Sequence, residues 1–96
     1  MNDYTGWIVQ ANAGRDKDGI FCVVGVDPAP HRLLLADGKR RKVSRPKRKK
    51  LGHVTCLTDS RHQFDHPAIQ RLKQGEALSD KELRRALAAF RDQLEV

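Results

Sequence analysis

The chain has 96 residues, 19 of them Lys or Arg against 12 Asp or Glu, for a net charge of +7, with aromatic residues at only 5%. That length holds one small domain with a modest core, and its longest apolar runs fall far short of a membrane span. The charge is unevenly placed: residues 1–58 carry twelve basic against five acidic side chains and residues 59–96 carry seven of each, which divides the chain into a basic unit, 1–58, and a charge-neutral unit, 59–96.

Residues 1–5 are a polar lead-in without the basic-then-apolar pattern of a signal peptide, so a soluble, cytoplasmic protein is expected. WIVQA at 7–11 reads as a first strand with Trp7, Val9 and Ala11 on one face. Trp7 is the single tryptophan, and a core or barrel-end position is expected for it ahead of base stacking. The polar loop AGRDKDG at 13–19 places Gly14 where a positive φ is needed and Asp18-Gly19 at a tight turn. Arg15 and Lys17 project from its tip. Such a loop is either a solvated hairpin connection or an element whose backbone and cations approach phosphates.

IFCVVGV at 20–26 is β-branched and apolar, a second strand that ends at the stiff turn Asp27-Pro28-Ala29-Pro30. LLLA at 33–36 makes a third, followed by the turn dipeptide Asp37-Gly38. A fourth strand is expected over 40–43 with basic side chains outward, broken by Ser44-Arg45-Pro46. Lys47 to Lys50 then reads as an exposed basic loop, and HVTCL at 53–57 as a fifth strand. Cys22 and Cys56 each lie in a strand-like apolar run and are expected to be buried free thiols. Five short strands punctuated by turns argue for a small barrel, since closure removes exposed edges.

The stretch 39–50, KRRKVSRPKRKK, holds nine cations in twelve residues. Only Val43 in it is apolar, so it stays wet, and charge this dense is tolerable where a polyanion neutralises it. Strands on both sides mean that a folded domain presents it. A nucleic acid, and RNA in particular, is the expected partner. Lys39, Arg40, Arg41, Lys42, Arg45, Lys47, Arg48, Lys49 and Lys50 offer phosphate contacts, and the arginines can also fork onto a phosphate or a guanine edge. His53, at a strand start beside the stretch, is a further contact candidate. Phe21 and Phe90 read as buried, leaving Tyr4, Trp7 and Phe64, too few exposed aromatics for a single-strand stacking platform. Structured RNA read by backbone and shape is favoured.

The remainder is helical. Asp65-His66-Pro67 starts a short helix with Ile69 and Leu72 on one face and Gly75 at its stop. Ser79-Asp80-Lys81-Glu82 is a capping box, and the helix after it carries Leu83, Leu87, Phe90 and Leu94 in one stripe. That stripe packs on the barrel and first helix, or else meets a partner chain. Arg84, Arg85 and Arg91, among Asp80, Asp92 and Glu95, read as a solvated face. No catalytic set emerges: His31, His53, His62 and His66 are scattered, and Cys22, Cys56, His53 and His66 lack zinc spacing. Asp16, Asp18 and Asp37 read as turn residues rather than metal ligands. No enzyme activity, metal or cofactor is expected.

Residues 6–26, GWIVQANAGRDKDGIFCVVGV, resemble a KOW motif, the strand–glycine loop–strand unit of ribosomal proteins and NusG-type transcription factors. The continuation LLLADGKRRKVSRPKRKKLGHV resembles small bacterial KOW proteins, which are similar to the archaeal and eukaryotic large-subunit ribosomal protein fourteen-e family. The resemblance covers residues 4–57. It implies a small five-stranded SH3-like barrel of KOW type, which with the C-terminal helical hairpin read above gives a mainly β fold with an α appendage. It also implies RNA binding, with the motif glycine at Gly14, loop cations at Arg15 and Lys17, and a basic hairpin and loop over 36–50. The partner implied is RNA, ribosomal RNA foremost, and with it the ribosome, and no membrane. Residues 59–96 lie outside the match. The alternative is a protein-interaction module of the translation or transcription machinery, using the barrel and C-terminal helices, with nonspecific nucleic-acid contact.

Overall fold

Period-two alternation of apolar side chains organises the first part of the chain. In a computed structural model, which describes residues 4–28, 31–58 and 64–94, the segments Ile8–Ala11 (β1), Ile20–Asp27 (β2), Arg32–Ala36 (β3), Lys47–Lys49 (β4) and Val54–Cys56 (β5) form one sheet in the order β4-β3-β2-β1-β5. All its pairings are antiparallel. Ala29-Pro30, His62 and Glu95 lie outside the described residues. One face of the sheet buries Val9, Ala11, Phe21, Val23, Leu33, Leu35 and Val54 against one another. Trp7 and Tyr4 sit half-buried at its margin, edge to face with ring centroids 4.7 Å apart. An irregularity between Val23 and Gly25 shifts the β2–β3 register by one residue, the kind of bulge that bends a strand and adds twist.

The opposite face presents Ile8, Cys22 and Ala36 to two helices, Pro67–Lys73 (α1) and Asp80–Leu94 (α2). Their Ile69, Leu72, Leu83, Ala86, Leu87 and Phe90 complete a shared core with those sheet residues. The stripe on α2 is thus spent inside the molecule, except that Leu94 is 56% exposed. His66 caps α1 by accepting the Ala68 N–H on Nδ1 at 3.1 Å, and Gly75 ends the helical turn at φ +90°. The capping box is closed: Glu82 N–H donates to Ser79 Oγ and Ser79 N–H to Glu82 Oε1, both at 3.1 Å. These bonds, with the Arg71 guanidinium that also grips Glu82, hold its carboxyl below the ordinary range. Among the described residues no helix is long and apolar enough to cross a membrane.

Several expectations are corrected. There is no strand over 40–43; the fourth strand is Lys47–Lys49, in the stretch read as a loop. Local bonds decide this. Asp37 Oδ1 accepts the backbone N–H groups of both Lys39 and Arg41 at 2.9 Å, and the Arg41 carbonyl accepts those of Asp37 and Gly38. A short acidic side chain thereby takes donors that a ladder would need. Pro46, which has no N–H to give, falls immediately before an edge strand, where proline is tolerated. Cys22 is buried as expected, but Cys56 is exposed, on the β5 edge; neither forms a disulfide. Phe64 is also buried, edge to face with Phe90 at 5.3 Å, so it offers no accessible ring.

Candidate functional site

Cations from separate segments converge at one end of the sheet, where the β1–β2 loop, the β3–β4 loop and the turn into β5 meet. Three contacts hold them there. Arg41 Nη2 donates to Asp16 Oδ2 at 2.8 Å, tying residues 37–46 to the β1–β2 loop. Lys49 Nζ, on β4, donates to the Ala13 carbonyl at 3.0 Å, beside Gly14 at φ +80°. Asn12 N–H donates to the His53 carbonyl at 3.1 Å, fixing the 3-10 turn Leu51–His53 against the same loop.

Asp16 is the buried anchor, with its residue only 6% exposed. The hydrogen bond from Arg41 holds its carboxyl below the usual 3.8 against the opposing pull of burial, and Lys47 and Arg40 add to the lowering. Asp16 is therefore an ion-pair partner and not simply a turn residue. Asp18, at φ +70°, and Asp37 do serve turns.

The candidate residues divide accordingly. Arg41 and Lys49 are half-buried and engaged in holding the loops together. Arg48 reaches Asp27 Oδ2 at 3.2 Å with 65% of its side chain still exposed, a geometry that contributes little to stability. Arg15, Lys17, Lys39, Arg40, Lys42, Arg45, Lys47, Lys50 and His53 are exposed. Among the described residues none of these side chains forms an ion pair with a carboxylate. Eight cations outside any ion pair among the described residues, and one histidine, make this end strongly positive.

α2 completes the surface, which sequence patterning alone missed. Asp80 Oδ1 accepts the Val43 N–H at 2.8 Å, and Arg84 Nη1 donates to the Gly38 carbonyl at 2.7 Å. Gly38 is required at this crossing: its φ is +79°, and a Cβ there would collide with the Asp80 carbonyl oxygen and press on Arg84 Cγ. Between the loop and the helix lies a cleft of about 330 Å³ with Lys39, Arg40, Arg84 and Arg91 around it and Ile20, Phe21 and Leu87 among its lining. Arg84 and Arg91 stand two helical turns apart on one face, a spacing visible in the sequence but masked there by the balanced charge of residues 59–96.

Among the described residues no group of three or more His, Cys, Asp or Glu side chains is placed to hold a metal ion. No protein-family model and no curated protein matches the chain.

Proposed function

We propose that the protein binds structured RNA, ribosomal RNA foremost, through the cationic end of its sheet, as a cytoplasmic non-enzymatic component associated with the ribosome. The observation that carries this reading is that Arg15 and Lys17, residues 39–45, and Lys47 with Lys50 belong to separate segments, yet Arg41–Asp16 and Lys49–Ala13 bind those segments together. The exposed cations are thus held in a fixed array, which suits a phosphate backbone of fixed geometry better than a flexible tail would. Among the described residues the accessible Phe, Tyr and Trp rings are confined to the half-buried Tyr4 and Trp7, which favours contacts to backbone and shape over base stacking in series.

The sheet supports an SH3-like barrel of KOW type. Its two edge strands, β4 and β5, are consecutive in the chain and joined by a single 3-10 turn, and β2 carries a bulge at its middle. A connection that short, with Val9, Phe21, Val23, Leu33 and Leu35 clustered on one face of the sheet, is what such a barrel would use.

Electrophoretic mobility-shift titrations against a ribosomal RNA hairpin, a DNA duplex and heparin at two salt concentrations test the function. All three should weaken at the higher salt, with the RNA hairpin keeping a clear affinity advantage over the other two. Equal loss of all three with modest salt would leave only a nonspecific polycation.

A further inference from the structure

The cleft between the β3–β4 loop and α2 has a composition unlike the rest of the cationic surface. Lys39, Arg40, Arg84 and Arg91 surround it together with one carboxylate, Asp37, whose Oδ1 is taken up by the Lys39 and Arg41 backbone N–H groups, and Ile20 and Leu87 contribute apolar atoms to its lining. Its volume, about 330 Å³, lies at the small end of the range for ligand pockets. A bare phosphate needs cations alone and gains nothing from apolar lining. A duplex backbone cannot enter a recess of this size. What fits both halves of the chemistry is a planar aromatic base carrying phosphate: a ring against half-buried Ile20, above the core residue Leu87 at the cleft floor, stacked on an arginine plane, with its phosphates among the rim cations.

We infer that this cleft receives one unpaired nucleotide, extruded from the RNA whose flanking duplex lies on the cationic end of the sheet. The inference rests on the RNA-binding reading, and it assigns α2 a direct part in recognition. The rim is pre-set: Arg84 is fixed to the Gly38 carbonyl, and the loop carrying Lys39 and Arg40 is pinned by Asp37 and by Asp80. Arg91, exposed and without an ion-pair partner among the described residues, is the cation with most freedom to close over a base. The same chemistry would admit a free nucleotide, so the two sources need separate arms in the test.

The experiment compares two RNA hairpins, one fully paired and one with a single bulged adenosine, against the whole chain, and titrates AMP separately while the Ile20 and Leu87 methyl NMR signals are followed. The bulged hairpin should bind about tenfold more tightly, the scale of one stacked base, and should shift both methyl signals. In Arg91→Ala that ratio should fall to about one, whereas Lys47→Ala with Lys50→Ala should weaken both hairpins and keep the ratio near its roughly tenfold starting value. Methyl shifts with AMP, and no preference for the bulge, would assign the cleft to a free nucleotide and overturn the extruded one. Equal binding of the two hairpins with no methyl shift from any ligand overturns the cleft and leaves the RNA reading standing. No binding to either hairpin overturns the RNA reading and the extruded nucleotide together.

Discussion

Asp80, the first residue of α2, accepts the backbone N–H of Val43 at 2.8 Å, across 37 positions of sequence. This one bond sets the far side of the β3–β4 loop against the helix, and the Arg84–Gly38 bond sets its near side. The cationic loop is therefore held from two directions, and the charge-neutral C-terminal segment supports the basic one. Asp80→Ala removes an acceptor from a partly buried N–H as well as a favourable first-turn charge, so stability should fall by about 1–2 kcal/mol. Hydrogen exchange should accelerate at Val43 first, while the Ser79–Glu82 cap keeps α2 formed.

Gly38 is the steric counterpart of that bond. Gly38→Ala puts a Cβ into the Asp80 carbonyl and forces alanine to a positive φ of 79°. A loss of about 1–3 kcal/mol is expected from the backbone term alone. Gly52→Ala meets nothing within 4 Å and should change stability by less than about 0.5 kcal/mol. Urea denaturation of the two variants separates them.

The Asp16–Arg41 pair gives the protein an acid-sensitive contact. The Asp16 carboxyl is depressed below its unfolded value of 3.8 when folded. Its contribution is therefore complete well above 3.8 and is lost as pH falls through the lower folded value. Asp16→Asn should cost about 1 kcal/mol near neutral pH, tempered because Arg41 is partly exposed. The variant should also lose less stability than the parent on acidification from pH 5 to pH 2.5. Denaturant midpoints measured across that interval check the slope.

The two cysteines should differ sharply in reactivity. Burial pushes the Cys22 thiol up to about 12, whereas Cys56 is exposed. Only the thiolate reacts. Native protein treated with iodoacetamide should be modified at Cys56 alone, and guanidinium should release Cys22; peptide mapping of the alkylated chain reads both.

Much of the fold is legible in local sequence, and the parts that are not have a common cause. β1, β2 and β3, the glycine loop, the Gly75 stop and the Ser79–Glu82 cap depend on neighbours within a few residues, so periodicity and capping rules reach them. The place of β4 does not. Residues 40–43 and 47–49 are equally basic and equally extended on paper, and what separates them is Asp37 taking two backbone donors and Asp80 taking a third from far down the chain. The site shows the same division. The density of charge over 39–50 is plain from composition, but Asp16 as its buried anchor arises only when the β1–β2 and β3–β4 loops meet, and Arg84 and Arg91 as its rim only when α2 packs on the sheet. Cys56 fails for a different reason: it shares a face with buried Val54 and pairs with Val9, but it ends a short edge strand, where the periodic pattern no longer guarantees burial.

The salt dependence of binding bears most directly on the claim that this end of the sheet lies against phosphates. With about five contacts to a paired RNA hairpin, log K should fall against log salt with a slope near −4 to −5, and Lys47→Ala with Lys50→Ala should reduce that slope by about two units. A slope near zero, or one untouched by removing those two lysines, would contradict the account.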